Sequence, residues 1–242
     1  MGHREFRSGL ATVIYDDEMV GTDCEKLFHD DWLKENTGCT SLQRGTAVMF
    51  EYRGLGLVFK RYHRGGLIGR IIAKTYRYRR LKNTRVWREF HMLHAMRELD
   101  LPVPRPIAAH CLGVPPLVYR CAVITERVPD SQNLTEILCE SALDNEQWEK
   151  LGALIAHFHN LNVFHADLNA SNILLTGSGE FYLVDFDKGA ICTPLSRQNA
   201  EANVSRLRRS LDKLQGIHPS FHFSEENWQA LTSAYQRTIQ YN

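Results

Sequence analysis

Two short polar clusters on either side of one tight turn constrain this chain more than any other feature. The first reads His165-Ala166-Asp167-Leu168-Asn169-Ala170-Ser171-Asn172 and runs into the apolar stretch Ile173-Leu174-Leu175. The second, Asp185-Phe186-Asp187, closes the apolar run Phe181 to Val184. Between them lies Gly177-Ser178-Gly179, a turn signal flanked by β-rich segments, so two short strands around a tight hairpin are predicted. Asp and Asn favour turns for local reasons, because their side chains hydrogen-bond their own backbone. Either cluster alone reads equally well that way. Together and in this order they supply what phosphoryl transfer needs: a carboxylate to orient the acceptor hydroxyl, an amide oxygen on a metal, and a carboxylate on a metal. Asp167, Asn172 and Asp185 fill those places in turn.

The rest of the chain arranges itself around that hairpin. Residues Ala47 to Tyr62 alternate short apolar runs around Arg53-Gly54-Leu55-Gly56 and read as another hairpin, with Lys60 on its second strand. From Thr84 the pattern turns helical, with Val86, Phe90, Leu93, Met96 and Leu99 near helical spacing, until Pro102, Pro104 and Pro106 end it. Leu117 to Thr125 is a further strand. Glu126 to Asp130 has the composition of a connector, which divides the chain into a first lobe, 1–126, and a second, 127–242, of one catalytic unit. Asp144 with Gln147 three residues on predicts a capped helix whose inner face carries Trp148, Leu151, Leu154, Ile155 and Phe158. His157 and His159 near its end invite a metal reading. Roughly 200° apart on a helix of 3.6 residues per turn, they fit helix-end packing better.

At 242 residues the chain can bury roughly 70 to 75% of its unfolded surface, so a core needs neither disulfides nor metal. The six cysteines show no zinc-like spacing, no apolar leader precedes them, and reduced thiols are expected. No apolar run approaches the length of a membrane span. The net charge of +1 conceals a polarised chain. Between Tyr52 and Arg88 there are 12 basic residues and no acid, leaving 17 positive against 28 negative charges elsewhere. Such a belt implies an anionic partner or surface.

The pattern H-x-D-x-x-x-x-N followed by D-F resembles the protein-kinase-like superfamily. The resemblance implies an α+β fold of two lobes, the first an antiparallel sheet with one helix and the second reduced and mostly helical. It also implies ATP and magnesium as cofactors, Asp167 as the catalytic carboxylate, and Asn172 and Asp185 as metal ligands. A strand lysine for the nucleotide phosphates and a helix glutamate to hold it are implied too, and Lys60 and Glu89 are the candidates. The helical wheel supports Glu89 separately. It lies three, four and seven residues before Met92, Leu93 and Met96, on the inward face, where a carboxylate is expensive unless paired. The plain alternative is a snorkelling lysine and a surface glutamate. No G-x-G-x-x-G is present, and Gly45 either approaches the phosphates or is an ordinary turn glycine.

Several departures point away from a protein kinase of the eukaryotic type. Ala166 replaces the arginine of that catalytic loop, Asn169 its lysine, Asp187 the glycine of D-F-G, and no A-P-E follows. Only 57 residues remain after Asp185, too few for an activation segment and a peptide-docking lobe. Adding Phe59 to Gly69, Arg88-Glu89-Phe90, Leu101 to Pro106 and Val184 to Gly189, the chain resembles the bacterial lipopolysaccharide core kinases over roughly residues 40 to 215. That resemblance implies transfer of the ATP γ-phosphate to the 4-hydroxyl of a 3-deoxy-D-manno-octulosonic acid (Kdo) sugar on a lipid A precursor. The enzyme would work peripherally at the cytoplasmic face of the inner membrane.

The belt suits such an acceptor and an anionic leaflet, with Arg61, Arg64, Arg77, Arg79 and Arg80 the candidate contacts. Nucleic acid would attract the same charges, but the chain has few features of a nucleic-acid fold, and no obligate protein partner is expected. A solvated face is the plain reading of the belt. Two rival functions remain: a soluble small-molecule kinase of the aminoglycoside or choline type, and a non-catalytic pseudokinase that only binds. The first usually has cationic acceptors, which a basic belt disfavours. The second would be expected to have lost one of Asp167, Asn172, Asp185, Lys60 and Glu89.

Overall fold

The computed structural model describes residues 2–37, 47–62, 76–77, 81–114 and 118–240. The chain divides into two compact units, one of Met1–Asp100 with Pro104–Arg127, the other of Leu101–Val103 with Val128–Asn242.

The first unit is built on strands β1 (His3–Ser8), β2 (Ala11–Asp16), β3 (Val48–Tyr52), β4 (Leu55–Arg61), β5 (Tyr76–Arg77), β6 (Pro106–Val114) and β7 (Val118–Glu126). They form one antiparallel sheet in the order β1-β2-β6-β7-β4-β3, with β5 pairing β7. Side chains alternate across a strand, and here that alternation feeds two cores. Val13, Tyr15, Ala122 and Ile124 join Phe50, Leu57 and Phe59 on one face, under Leu27, Phe28 and Leu33. Leu33 belongs to the short helix α1 (Asp30–Thr37). Ile14, Cys121 and Val123 face the other way, onto Val86, Trp87 and Phe90 of helix α2 (Arg85–Glu98). The unit therefore carries a second helix, α1, beyond the single one expected from the sequence. The hairpin β3-β4 turns at Arg53 and Gly54, with φ of 52° and 79°. Two consecutive positive φ values make the tight turn whose twist matches that of paired strands.

The second unit is mostly helical: α3 (Leu134–Glu140), α4 (Asn145–Asn160), α5 (Arg197–Ile217) and α6 (Glu225–Thr238). Ahead of the helix capped by Asp144 lie strand β8 (Ser131–Asn133) and α3, which has its own capping box from Asn133 and Glu136. The Asp144–Gln147 capping box is present with both of its hydrogen bonds. Strand β8 adds to β10 (Ile173–Thr176), which pairs with β11 (Phe181–Leu183) across the Gly177-Ser178-Gly179 turn. A two-stranded pair, β9 (Val163–Phe164) with β12 (Ala190–Ile191), flanks the first polar cluster. Leu183 N–H donates to the Pro102 carbonyl at 3.0 Å, so the tripeptide Leu101–Val103 is built into this unit.

Candidate active site

Residues 165–172 and 184–187 form a rigid double loop because buried groups tie one to the other. His165 is 2% exposed. Its Nδ1 accepts the Asp167 N–H at 3.1 Å, so the ring proton sits on Nε2, which donates to the Val184 carbonyl at 2.8 Å. Burial lowers its pKa and keeps it neutral, as this bonding pattern requires. The ring packs on Phe186, centroids 4.5 Å apart, and Phe186 stacks on Phe158 of α4. Asn203, also 2% exposed, clasps the loop from α5: its Nδ2 donates to the His165 carbonyl at 2.6 Å while its Oδ1 accepts the His165 N–H at 3.2 Å. His159 completes this network. Its Nε2 donates to the same Oδ1 and its Nδ1 accepts from Tyr235 Oη. His159 is thus a packing residue, and His157 lies exposed on the opposite side of α4.

On this frame Asp167, Asn172 and Asp185 line one cleft of about 600 Å³, together with Asn169, Ser171 and a wall from α5. The Asp167 side chain is half exposed at 51%, and Arg206 holds only one of its oxygens: Nε and Nη2 both reach Oδ1, at 2.9 and 2.5 Å. The Asn172 amide donates to the Asp167 carbonyl at 2.9 Å, which turns its own oxygen the other way. Val184 N–H donates to the Asn172 carbonyl, tying the Asn172 strand end to Asp185. Asp185 sits at φ 64°, in the left-handed region that a non-glycine residue rarely adopts. Backbone strain of this kind clusters at functional sites. Among the described residues no group of three or more His, Cys, Asp and Glu side chains gathers as a metal nest. One carboxylate and one amide oxygen still suit magnesium, which keeps water and takes phosphate oxygens for the rest of its shell.

In the first unit Glu89 is 4% exposed on α2, and Lys60 Nζ on β4 lies 3.8 Å from its Oε1. The sequence reading missed Tyr62. This buried side chain donates to Glu89 Oε2, and the Lys60 ammonium lies 5.2 Å from its ring centroid. Residues two apart on an extended run share a face, which puts Tyr62 on the side of Lys60, but nothing in the sequence marks that tyrosine as other than core. Arg61 packs over Phe59 and bonds Asp30. Gly45, Arg64, Arg79 and Arg80 lie outside the described residues, and of Arg77 only the backbone, on β5, is described. Burial pushes the Cys24 and Cys111 thiols up to about 12, so both pack as small apolar groups.

The lipopolysaccharide kinase (Kdo/WaaP) family matches residues 29–235. The chain belongs to that family. A 3-deoxy-D-manno-octulosonic acid kinase of Haemophilus influenzae (strain ATCC 51907 / DSM 11121 / KW20 / Rd) is 39% identical over 243 residues, covering 96% of this chain and 99% of its own. One from Vibrio vulnificus (strain YJ016) is 33% identical, covering 94% of this chain and 96% of its own. Among solved structures, WaaP in complex with acyl carrier protein superposes with a TM-score of 0.55 at 14% identity, over 82% of this chain and 77% of that one. A glucosamine kinase in complex with glucosamine, ADP and inorganic phosphate gives 0.53 at 12%, over 97% and 82%. At such identities the likeness is one of fold, and that fold is the two-lobed protein-kinase-like one. The family member described here is accordingly a phosphotransferase of lipopolysaccharide biosynthesis. No helix among its described residues is long and apolar enough to cross a membrane.

Proposed function

We propose that this family member transfers the γ-phosphate of ATP to the 4-hydroxyl of the Kdo sugar on a lipid A precursor, working peripherally at the cytoplasmic face of the inner membrane. The observation that carries the reading is Asp167, a half-exposed carboxylate held by one oxygen in the same cleft as Asn172 and Asp185. The other oxygen, Oδ2, would receive the acceptor hydroxyl. The hydroxyl oxygen forms its bond to the γ-phosphorus, the bond to the bridging oxygen of ADP breaks, and the hydroxyl proton passes to Asp167. Asn172 and Asp185 would hold magnesium, which would supply neutralisation of the charge on the nucleotide phosphates. Lys60, kept in place by Glu89 and Tyr62, steadies the nucleotide phosphates, with Gly45 beside them. Arg64, Arg77, Arg79 and Arg80 meet the anionic glycolipid and leaflet, and Arg61 joins them by leaving Asp30.

The test is ATP consumption against a panel of Kdo-bearing lipid A precursor, free Kdo, an aminoglycoside and a protein substrate, with the phosphorylated position read by NMR. Turnover is expected on the Kdo-bearing lipid. The Asp167→Asn enzyme should lose about 10²- to 10⁴-fold in rate while still binding nucleotide. Turnover confined to the aminoglycoside, or near-normal rates in a folded Asp167→Asn enzyme, would overturn the assignment.

A further inference from the structure

Helix α5 presents two unlike faces. Ala200, Asn203, Leu207 and Leu211 are buried, whereas Arg206, Arg209 and Lys213 line the cleft that holds Asp167. Spacings of three and four residues put those three cations on one stripe. Arg206 is committed to Asp167 Oδ1. Arg209 and Lys213 have no acidic partner among the described residues, although α5 elsewhere pairs its arginines, Arg197 with Glu201 and Arg208 with Asp212 and Glu225. At 1.5 Å per residue, Arg209 lies about 4.5 Å and Lys213 about 10 Å along the axis from the arginine that touches Asp167. The stripe continues into Leu214 and Ile217, the latter 57% exposed.

Two unpaired cations, starting one helical turn from the carboxylate that receives the acceptor hydroxyl, are a site for an anion on the acceptor. We infer that Arg209 and Lys213 bind the carboxylate of the acceptor sugar, and that Arg206 is the positioning residue that turns Asp167 Oδ2 toward the reacting hydroxyl. This rests on the Kdo reading given above, because it requires an acceptor bearing an acid on the ring that is phosphorylated. The nucleotide phosphates could attract the same charges, but Lys60 and the metal ligands already serve them, and the stripe begins at Asp167.

The experiment compares the wild-type protein with an Arg209→Gln/Lys213→Gln double variant, using a Kdo-bearing lipid acceptor and its carboxamide analogue. Both side chains are exposed, so unfolding transitions of the variant should match the wild type, and an Arg209→Lys/Lys213→Arg swap controls for shape. The double variant should raise the acceptor KM by roughly 10- to 100-fold, the range for losing charge-assisted hydrogen bonds, with ATP KM within about threefold. The carboxamide should be poor for the wild type and for the charge-retaining swap, yet cost the Gln variant nothing more, because the two losses are then one interaction. Wild-type turnover with an unchanged acceptor KM in the variant overturns this inference alone, as does a rise confined to ATP KM. Failure of the wild type to phosphorylate the Kdo-bearing lipid overturns the functional reading itself.

Discussion

Single side chains decide how firmly each half of the site is held. Tyr62 gives Glu89 Oε2 its hydrogen bond where the carboxylate is buried, and its ring lies beside the Lys60 ammonium. Tyr62→Phe keeps the ring and removes that donor, which for a buried charged group costs about 1–3 kcal/mol. We expect a lower urea midpoint and a raised ATP KM with the acceptor KM unmoved, checked by denaturation and steady-state kinetics. A variant with wild-type values for both would show that Glu89 does not depend on the Tyr62 hydroxyl. The Lys60–Glu89 pair was legible through the kinase resemblance, which implies a strand lysine and a helix glutamate, and the inward face of the helix separately marked Glu89 as a carboxylate in need of a partner. Tyr62 was not, since a tyrosine ending a β-rich run is ordinary core on composition alone. Asn203 was hidden for another reason: nothing local marks a buried asparagine whose partners lie 38 positions earlier.

Elements with a strong local signal were legible and those defined by distant packing were not. The β3-β4 hairpin, α2, the capped α4 and the β10-β11 hairpin all follow from periodicity and punctuation. Strand β6 did not, because Pro102, Pro104 and Pro106 read only as helix terminators and Ile107-Ala108-Ala109 lacks strand alternation when both sheet faces are covered. Helix α4 shows what such distant packing requires. Gly152 lies where α6 passes so closely that a Cβ would stand 2.1 Å from the Leu231 carbonyl oxygen, a backbone atom that cannot turn aside. Gly152→Ala should gain helix propensity yet lose about 1–3 kcal/mol through overpacking. Thermal unfolding measures the balance, and a variant at or above wild-type stability would mean that the two helices slide apart freely.

Across the whole molecule, neutral histidines that are buried, or half-buried in the case of His110, make both units sensitive to acid. Desolvation depresses His110 in the first unit and His159 in the second to about 4, and lowers His165 as well. Below about pH 6.5 the unfolded chain binds protons that the folded chain refuses, so stability is full above that value and falls as pH drops toward 4. Each group depressed to about 4 contributes on the order of 3 kcal/mol across that window. Urea midpoints taken at pH 7.5, 6 and 5 should decline steadily, and His159→Gln should flatten the decline. A pH-independent midpoint would mean these rings reach water before unfolding. The way the chain is divided between the two units has a consequence for heredity as well. Leu101 and Val103, 1% and 0% exposed, are built into the second unit although Pro104–Arg127 returns to the first. A gene cut after codon 127 would encode a downstream piece missing two of its own buried residues, so that junction is not a clean boundary between cassettes.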